Sequence, residues 1–517
     1  MRLAPNLGVA RRLAGFGVPA LLLVFGGRAQ AAGGVAGDPC PRSASLDVGP
    51  TDGPFYATVA PFEHDQSERT QVFPFACSLG DLGRNGIQGR KSAVNFADPY
   101  IPFTRGRDEL FVYGYGLDAA TQGAFVASVD PATLRQRWRT QILADELPDQ
   151  WSYPGVGLAH GNGFIYAIYA NVIVKLDARS GATLLRRQLP EDPDGTGAAY
   201  NGMIVMPDGR IVAKGMERGP CPSLPAGSSA YTEAFEGLVC GVRNDLPSTI
   251  VTLDQDDLSI LQSVTPPERS TGRITAGHSD DRDYVYVAGD TSLFRYVYAN
   301  GHLSLDDGWG PVTYRSGLQT PGTGPGILGD YVVVQSNFLP TVAPLTVTAA
   351  SVHDSRRTFS ITPFPDSHAS WNVSKMALDT DNQMIVTNDT LAEQMAGVHL
   401  DPEHGLEIRW RRSETTLAFS ALVGGPGDRN IVVPDFVSGV GDRTIWIDEA
   451  TGRTLATSRV LAASPAPGNI VLPGFGGRFY YLSSTGALWE LSPQSIQGPA
   501  PGQERLPRWR IRQHATR

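Results

Sequence analysis

The sequence Ile447-Asp448-Glu449-Ala450-Thr451-Gly452 decides the fold, because the same phrase recurs along the chain. Each copy has an apolar residue, an aspartate, two or three polar residues, often a glycine, and then a short apolar stretch. The other copies are Val129-Asp130, Leu176-Asp177, Leu253-Asp254, Leu400-Asp401 and, more weakly, Leu491-Ser492. An aspartate side chain can accept backbone N–H groups in such a turn, and glycine takes the positive φ. We interpret these aspartates as structural.

The spacing of the copies gives the number of repeats. Successive copies from Asp130 are separated by 47, 77, 147, 47 and 44 residues. The interval of 77 is one repeat with an insert, and 147 is three repeats of 49. Two degenerate copies are therefore predicted, at Tyr298-Ala299-Asn300-Gly301 and His353-Asp354-Ser355. The count reaches eight, and a period of this length indicates a repeat architecture.

The second repeat shows what one unit contains. Turn residues divide it into four predicted strands, over 155–160, 164–169, 171–176 and 182–189. Four short antiparallel strands in about 45 residues are typical of a propeller blade. The first strand is poor in bulk, as in 155–159, 322–326 and 466–469, which suits strands crowded around an axis. We predict an all-β, eight-bladed β-propeller, with seven blades as the alternative.

The N-terminus predicts export. A basic start with Arg2, Arg11 and Arg12 precedes the apolar stretch 13–27 and the cleavage-like Ala29-Gln30-Ala31. We predict a signal peptide over 1–31, an extension over 32–94, the propeller over 95–511 with a lid insert at 215–247, and a tail over 512–517. The ring should close where the segment near Asn95 pairs beside the final strand, around residues 509–511. The mature protein is expected to be secreted or periplasmic, by the general or the twin-arginine route.

Composition excludes several classes of protein. Gly 58 and Pro 39 argue against a helical bundle. The net charge of −9 becomes −13 without residues 1–31, so nucleic acid is not an expected partner. No later stretch is apolar enough to cross a membrane, and a monomer is expected.

Four cysteines in an exported chain favour disulfides. They allow three pairings, of which Cys40–Cys77 and Cys221–Cys240 are the local ones. The second bond would pin the lid insert. A metal or redox site is the alternative, but no Cys-x-x-Cys pattern is present.

The repeat resembles that of the quinoprotein-like propellers. Asp448 to Gly452 and the stretch from Asp130 to Trp138 carry the resemblance, and Trp138 stands where that family has a docking tryptophan; Trp410 lies one residue further along its own repeat. The quinone enzymes of this family use adjacent cysteines over their cofactor. This chain has no Cys-Cys pair, which counts against a quinone cofactor and makes a quinone-dependent dehydrogenase the least favoured of the alternative functions.

A second resemblance concerns calcium. Asn201-Gly202-Met203, Pro207-Asp208-Gly209 and Asn388-Asp389 are similar to strings in calcium-dependent lactonase and strictosidine-synthase-like propellers. That resemblance implies an axial Ca²⁺ held by Asn201, Asn388 and Asp389. Carboxylate and carboxamide oxygens suit such a cation, although both residue types are also common in turns.

Strand alternation sorts the loops between the two faces of the ring. Turns between strands one and two, or three and four, lie on one face, and the longer loops lie on the other. Loops on rigid scaffolds carry function, so we place the site on the long-loop face. The candidate catalytic residues are His368, Arg273 and Lys214, and the candidate ligand-binding residues are Trp151, Tyr153, Tyr200, Trp371 and Asn372.

Two functions fit this prediction. The first is a small-molecule site at the axial mouth, with hydrolase or lyase activity assisted by a metal. Arg273 and Lys214 would then favour a ligand that carries an anionic or carbonyl group. The second is a non-catalytic scaffold for an envelope or extracellular partner. Whether the protein is an enzyme stays open at this point.

Overall fold

The fold was examined in a computed structural model. It describes residues 40–96, 99–114, 123–143, 155–190, 198–217, 248–270, 272–319, 324–336, 343–367, 375–389, 392–413, 419–437, 441–461, 471–483 and 486–493. The predicted signal peptide, the chain at 509–511 and the tail lie outside these residues. Within them, no helix has the length and apolar character needed to cross a bilayer.

The described strands form eight blades, so the predicted all-β propeller is confirmed. The N-terminal part contributes α1 (Pro41–Ala44), β1 (Val72–Phe73) and β2 (Gly83–Asn95). Blades one and two contain β3 (Pro99–Thr104), β4 (Leu110–Gly114), β5 (Phe125–Val129), β6 (Gln136–Gln141), β7 (Val156–Ala159), β8 (Ile165–Tyr169), β9 (Val172–Leu176) and β10 (Thr183–Gln188). Blades three and four contain β11 (Ala198–Val205), β12 (Ile211–Glu217), β13 (Thr249–Leu253), β14 (Ile260–Val264), β15 (Ile274–Ser279), β16 (Arg282–Ala288), β17 (Ser292–Ala299) and β18 (His302–Leu305), with β19 (Val312–Thr313) added beside β17.

The other four blades follow the same order from the inner to the outer strand. Blades five and six contain β20 (Gly326–Leu328), β21 (Tyr331–Gln335), β22 (Val347–Ser351), β23 (Thr358–Ile361), β24 (Ala377–Asp379), β25 (Met384–Asp389), β26 (Gln394–Asp401) and β27 (Gly405–Ser413). Blades seven and eight contain β28 (Ala421–Val423), β29 (Asn430–Val437), β30 (Gly441–Asp448), β31 (Thr454–Ser458), β32 (Val471–Pro473), β33 (Phe479–Leu482) and β34 (Ala487–Pro493), with a 3-10 turn at Phe475–Gly477.

The predicted strands of repeat two agree with β7 to β10 to within one residue at each end. Two other inner strands, β20 and β32, begin at Gly326 and Val471 in the described chain. Pro325 precedes β20 and has no N–H for a ladder. The predicted segment 466–469 and the start of 322–326 lie outside the described residues.

The recurring aspartate phrase forms the turn between the third and fourth strands. Asp177 Oδ1 accepts the Ser180 N–H at 2.7 Å and Asp448 Oδ1 accepts the Thr451 N–H at 2.9 Å. Gly452 has φ of 70°, and a Cβ there would lie 2.7 Å from the ring of Trp410 in the preceding blade. Trp410 also donates Nε1–H to the Glu449 carbonyl at 2.7 Å. The phrase thus makes a turn on which the previous blade docks.

The ring closes through β2. This strand is the outermost strand of blade eight, antiparallel to β34, and it also pairs in parallel with β31 of blade seven. Lys91 lies opposite Trp489 and Asn95 opposite Ala487. The chain at 509–511, beside which closure was expected, lies outside the described residues. Residues 83–95 already belong to the ring, and their partner is 487–493.

An N-terminal segment fills the axis of the ring. Residues 55–73, called here the axial segment, hydrogen bond to the inner strands of several blades. The carbonyl oxygens of Ala60 and Pro61 accept the N–H groups of Thr104 and Ala159, respectively. Those of Ser67 and Thr70 accept the N–H groups of Ala276 and Leu378. The four N···O distances are 2.7–3.1 Å. β1 then pairs in parallel with β28. Contacts with blades one, two, four, six and seven require the segment to lie in the channel.

The Cys40–Cys77 disulfide joins the chain on either side of the axial segment. The bond agrees with the predicted pairing, whereas Cys221 and Cys240 lie outside the described residues. Its 37-residue separation gives about 3–4 kcal/mol of stabilisation in the chain-entropy model.

We therefore expect the Cys40→Ser/Cys77→Ser variant to unfold at lower urea concentration by about that free energy. Urea titrations with and without reductant measure it. The Cys221→Ser/Cys240→Ser variant is the matched comparison. Equal unfolding curves for the wild type and Cys40→Ser/Cys77→Ser would contradict the expectation.

Candidate functional site

A cluster of buried charged side chains lies where the inner strands begin. Arg273 directly precedes β15, Lys375 precedes β24, and Asn201 lies in β11 beside Lys214 of β12. These positions belong to blades three, four and six, on the face that receives the loops between blades. All four side chains are fully buried. The axial segment supplies Glu63, His64 and Arg69 to the same cluster, which we call the axial cluster.

Glu63 is the carboxylate at the centre of the axial cluster. Its Oε1 accepts from Arg69 Nη1 at 3.3 Å and lies 3.3 Å from Arg273 Nε. His64 Nε2 is 3.0 Å from the same oxygen. Burial would raise the pKa of Glu63, but Arg273, His64 and Arg69 hold that pKa far below its ordinary value. The residue is therefore an ionised carboxylate shared between two guanidinium groups.

The other contacts of Arg273 and His64 fix their positions. Arg273 donates to the Asn201 carbonyl and, at 2.7 Å, to the Tyr100 hydroxyl, with its guanidinium 5.6 Å from the Tyr100 ring centre. His64 Nδ1 is 3.1 Å from Gln71 Oε1. Burial lowers the pKa of His64 to about 3 despite the neighbouring Glu63 carboxylate. The imidazole is thus neutral at neutral pH.

Two lysines complete the axial cluster, and neither contacts a carboxylate among the described residues. Lys214 Nζ donates to the Ser270 carbonyl at 2.8 Å. Lys375 Nζ lies 4.2 Å from the ring centre of Phe419. Burial, followed by repulsion from Arg273, lowers the pKa of both lysines well below the ordinary value. The cluster therefore has more basic groups than acidic ones in the described part of the chain.

The structure brings together three of the predicted site residues, Asn201, Lys214 and Arg273. Tyr200 is buried in the core between blades two and three, where its hydroxyl donates to the Pro190 carbonyl at 3.0 Å. Asp389 accepts from the Ser367 hydroxyl at 3.2 Å and from the Ala392 N–H at 3.1 Å. Asn388 is buried in β25, opposite Met395 of β26. Seven other predicted residues lie outside the described residues: Trp151, Tyr153, His368, Trp371, Asn372, Cys221 and Cys240.

Sequence reasoning did not find Glu63, His64, Arg69 or Lys375. The first three belong to a segment without the repeat, so nothing in the spacing connects it with the axis. Lys375 had a weak signal, as one of only four lysines and as a charge placed just before a short apolar strand.

A calcium ion does not fit the predicted ligands. Asn201 and Lys214 lie on paired strands, and Arg273 donates to the Asn201 carbonyl. Ca²⁺ prefers several oxygen ligands, commonly carboxylates, whereas Asn201 is surrounded by cationic groups. In the described ranges no group of three His, Cys, Asp or Glu side chains is placed to hold a metal. The axial cluster suits an anion better than a cation.

A second buried cluster lies on the short-turn face, between blades six and seven. Arg429 Nε donates to Asp379 Oδ2 at 2.7 Å, and Asn382 Nδ2 donates to Glu449 Oε2 at 2.8 Å. Burial, reinforced by the Asp379 carboxylate, raises the pKa of Glu449 to about 8. The stabilisation from protonated Glu449 is fully present below its ordinary pKa and is lost as pH rises through about 8.

Glu449→Gln should therefore make stability less dependent on pH, because glutamine resembles the protonated side chain. We expect the melting temperature of the variant, relative to that of the wild type at the same pH, to increase as pH rises from about 5 to about 9. Thermal unfolding at several pH values measures this. The exposed Glu407→Gln in blade six is the control, and parallel pH curves for Glu449→Gln and the wild type would contradict the expectation.

Comparisons with known proteins find similarity of fold and no related sequence of known function. No family model matches the chain, and no curated protein matches it. It is similar to the WD40 domain of SCAP from fission yeast, at 8% identity and TM-score 0.46, covering 80% of this chain and 99% of that one. It is also similar to the quinohemoprotein alcohol dehydrogenase ADHIIG from Pseudomonas putida HK5, at 12% identity and TM-score 0.42, covering 86% and 82%. A third similar structure is the Dos1 propeller, at 10% identity and TM-score 0.48, covering 79% and 95%.

Proposed function

We propose that this protein is an exported β-propeller that binds a small carboxylate-bearing molecule at the axial cluster. The observation that carries the proposal is the pair of fully buried lysines, Lys214 and Lys375, neither of which has a carboxylate within ion-pairing distance among the described residues. They lie beside Arg69 and Arg273, which share the Glu63 carboxylate. A bound carboxylate would favour the protonated form of Lys214 and supply the acidic partner that this amine lacks in the described part of the chain.

The position of the cluster supports this proposal. It lies towards the long-loop face, the face on which β12 ends and β13 begins. Arginine and lysine together favour carboxylate binding, the former through a planar fork and the latter through a point charge. Tyr100 adds an aromatic ring beside Arg273. Export is supported by the N-terminal signal pattern and by the Cys40–Cys77 bond.

Thermal shift with a series of small carboxylates tests the proposal. A bound anion should raise the melting temperature of the wild type in a saturable manner. Lys214→Met should remove most of that increase, because it deletes one buried cation. Lys175→Met is the matched control, since Lys175 Nζ donates to the Gln255 carbonyl at 3.1 Å in another part of the ring.

Three outcomes are informative. Stabilisation of the wild type and Lys175→Met but not Lys214→Met supports the site. Equal stabilisation of all three proteins would place the anion elsewhere and contradict it. Stabilisation of none by any carboxylate would favour the non-catalytic scaffold function instead.

A further inference from the structure

We propose that Lys375 is a nucleophile that forms an imine with the carbonyl carbon of a small 2-oxo acid. The proposal rests on the proposed function, because the axial cluster is needed to hold the carboxylate of that acid. It adds a covalent step and a chemical class of substrate, namely an acid whose carbonyl group is next to its carboxylate.

The first support is the environment of Lys375 compared with the other lysines of the chain. The chain has four, Lys91, Lys175, Lys214 and Lys375. Lys91 is exposed on β2, and the amines of Lys175 and Lys214 donate to backbone carbonyls. Lys375 Nζ is fully buried, faces the Phe419 ring and has no hydrogen-bond acceptor among the described residues. Its amine therefore makes no hydrogen bond to the described protein groups.

The second support is the protonation of that amine. Only the neutral form of a lysine attacks a carbonyl, and enzymes obtain it by desolvating the amine or placing it near another cation. Both conditions occur here. Burial, followed by repulsion from Arg273, lowers the pKa of Lys375 well below the ordinary value. The amine is therefore available in its neutral form.

The third support is the placement of the carboxylate-binding groups. Arg273, at the start of blade four, and Lys214, in the second strand of blade three, are both fully buried, and Arg273 is close enough to Lys214 and Lys375 to lower the pKa of each. A 2-oxo acid has its carbonyl carbon bonded to the carboxylate carbon. Binding the carboxylate at Arg273 would therefore bring the reacting carbon into the cluster that holds the Lys375 amine, and the attack would become an effectively intramolecular step.

The reaction balances without an oxidant or reductant. The Nζ lone pair forms a bond to the carbonyl carbon, and the C=O π electrons move to oxygen. That oxygen then leaves as water and takes both hydrogens of the amine. The product is a C=N bond between Lys375 and the former carbonyl carbon.

Reductive trapping tests the proposal. The full-length mature protein is incubated with pyruvate and sodium cyanoborohydride, and the digest is analysed by mass spectrometry. We expect one reduced adduct on Lys375, with far less label on Lys91, Lys175 and Lys214. Lys375→Met should abolish the adduct, and Lys175→Met, which removes another lysine, should leave it unchanged. Because the label is mapped in the wild type, the test does not depend on the folding of Lys375→Met.

The outcomes separate the imine from the anion site. Pyruvate that raises the melting temperature without labelling Lys375 overturns the imine and leaves the anion site standing. Label distributed over all four lysines also overturns the imine, because it shows only general amine reactivity. Label on Lys375 that acetone produces as efficiently as pyruvate supports the nucleophile and contradicts the role of the carboxylate. Absence of both label and stabilisation overturns both proposals.

Discussion

Glu63→Gln is expected to destabilise the fold by about 3–5 kcal/mol, because it removes one partner of a buried ion-paired group. Arg69 and Arg273 are both fully buried, and Glu63 Oε1 lies 3.3 Å from a nitrogen of each. Glutamine keeps the shape of the side chain but not its charge. The wild-type contribution of Glu63 is present above its ordinary pKa and is lost as pH falls through the folded value, so the variant should also lose that acid-side dependence.

Urea unfolding of Glu63→Gln measures this effect, and Glu68→Gln is the matched control in the same segment. Glu68 is only partly buried, so its replacement should change stability by less than about 1 kcal/mol. Added carboxylate should recover part of the lost stability of Glu63→Gln, since the anion can replace the missing charge. A Glu63→Gln protein as stable as Glu68→Gln would contradict the central role of this carboxylate.

Ile87→Asp is expected to cost more than about 4 kcal/mol, which is exceptional for a point mutation. Ile87 is fully buried in β2, the strand that closes the ring, opposite Pro493 on one side and Ser458 on the other. It belongs to the same hydrophobic cluster as Leu461 and Leu491. An aspartate there would place an unpaired charge between the first and last parts of the ring.

Val94→Asp is the control for the closing strand. Val94 lies in the same β2 strand but is 38% exposed. We expect its replacement to stay within about 0.5 kcal/mol of the wild type. Soluble expression, circular dichroism and urea unfolding of both variants measure the difference. If Ile87→Asp unfolds like Val94→Asp, β2 is not essential for holding the ring closed.

The sequence predicted the blades because the repeat is local. Asp177 and Ser180 form their turn within four residues, and the alternation of apolar residues marks β7 to β10 without any distant contact. The partner of the closing strand β2 could not be predicted, for the opposite reason. The pairing of Lys91 with Trp489 joins the two ends of the chain, and nothing in either stretch specifies the other.

The axial cluster was predicted in part. Arg273 and Lys214 occupy repeat positions whose face follows from counting strands, so their convergence could be anticipated. Glu63 reaches them from a segment outside the repeat, and only the three-dimensional path of residues 55–73 connects the two. The calcium hypothesis failed for the same reason. The sequence contains Asn201, but only the structure shows the basic side chains that surround it.

The path of the axial segment has a consequence for how the protein folds. The axial segment and β2 are synthesised before the blades, yet some of their partners come last, as in the pairing of Lys91 in β2 with Trp489 in β34. Contacts of such long range raise the contact order and slow folding, because loop-closure entropy is lost before they form. The blades can form one after another, but the channel and the ring can be completed only when the whole chain has emerged. Until then β2 has no partner strand, and the axial segment, whose charged side chains are buried in the finished protein, is exposed to water. Aggregation or chaperone binding would act at this stage.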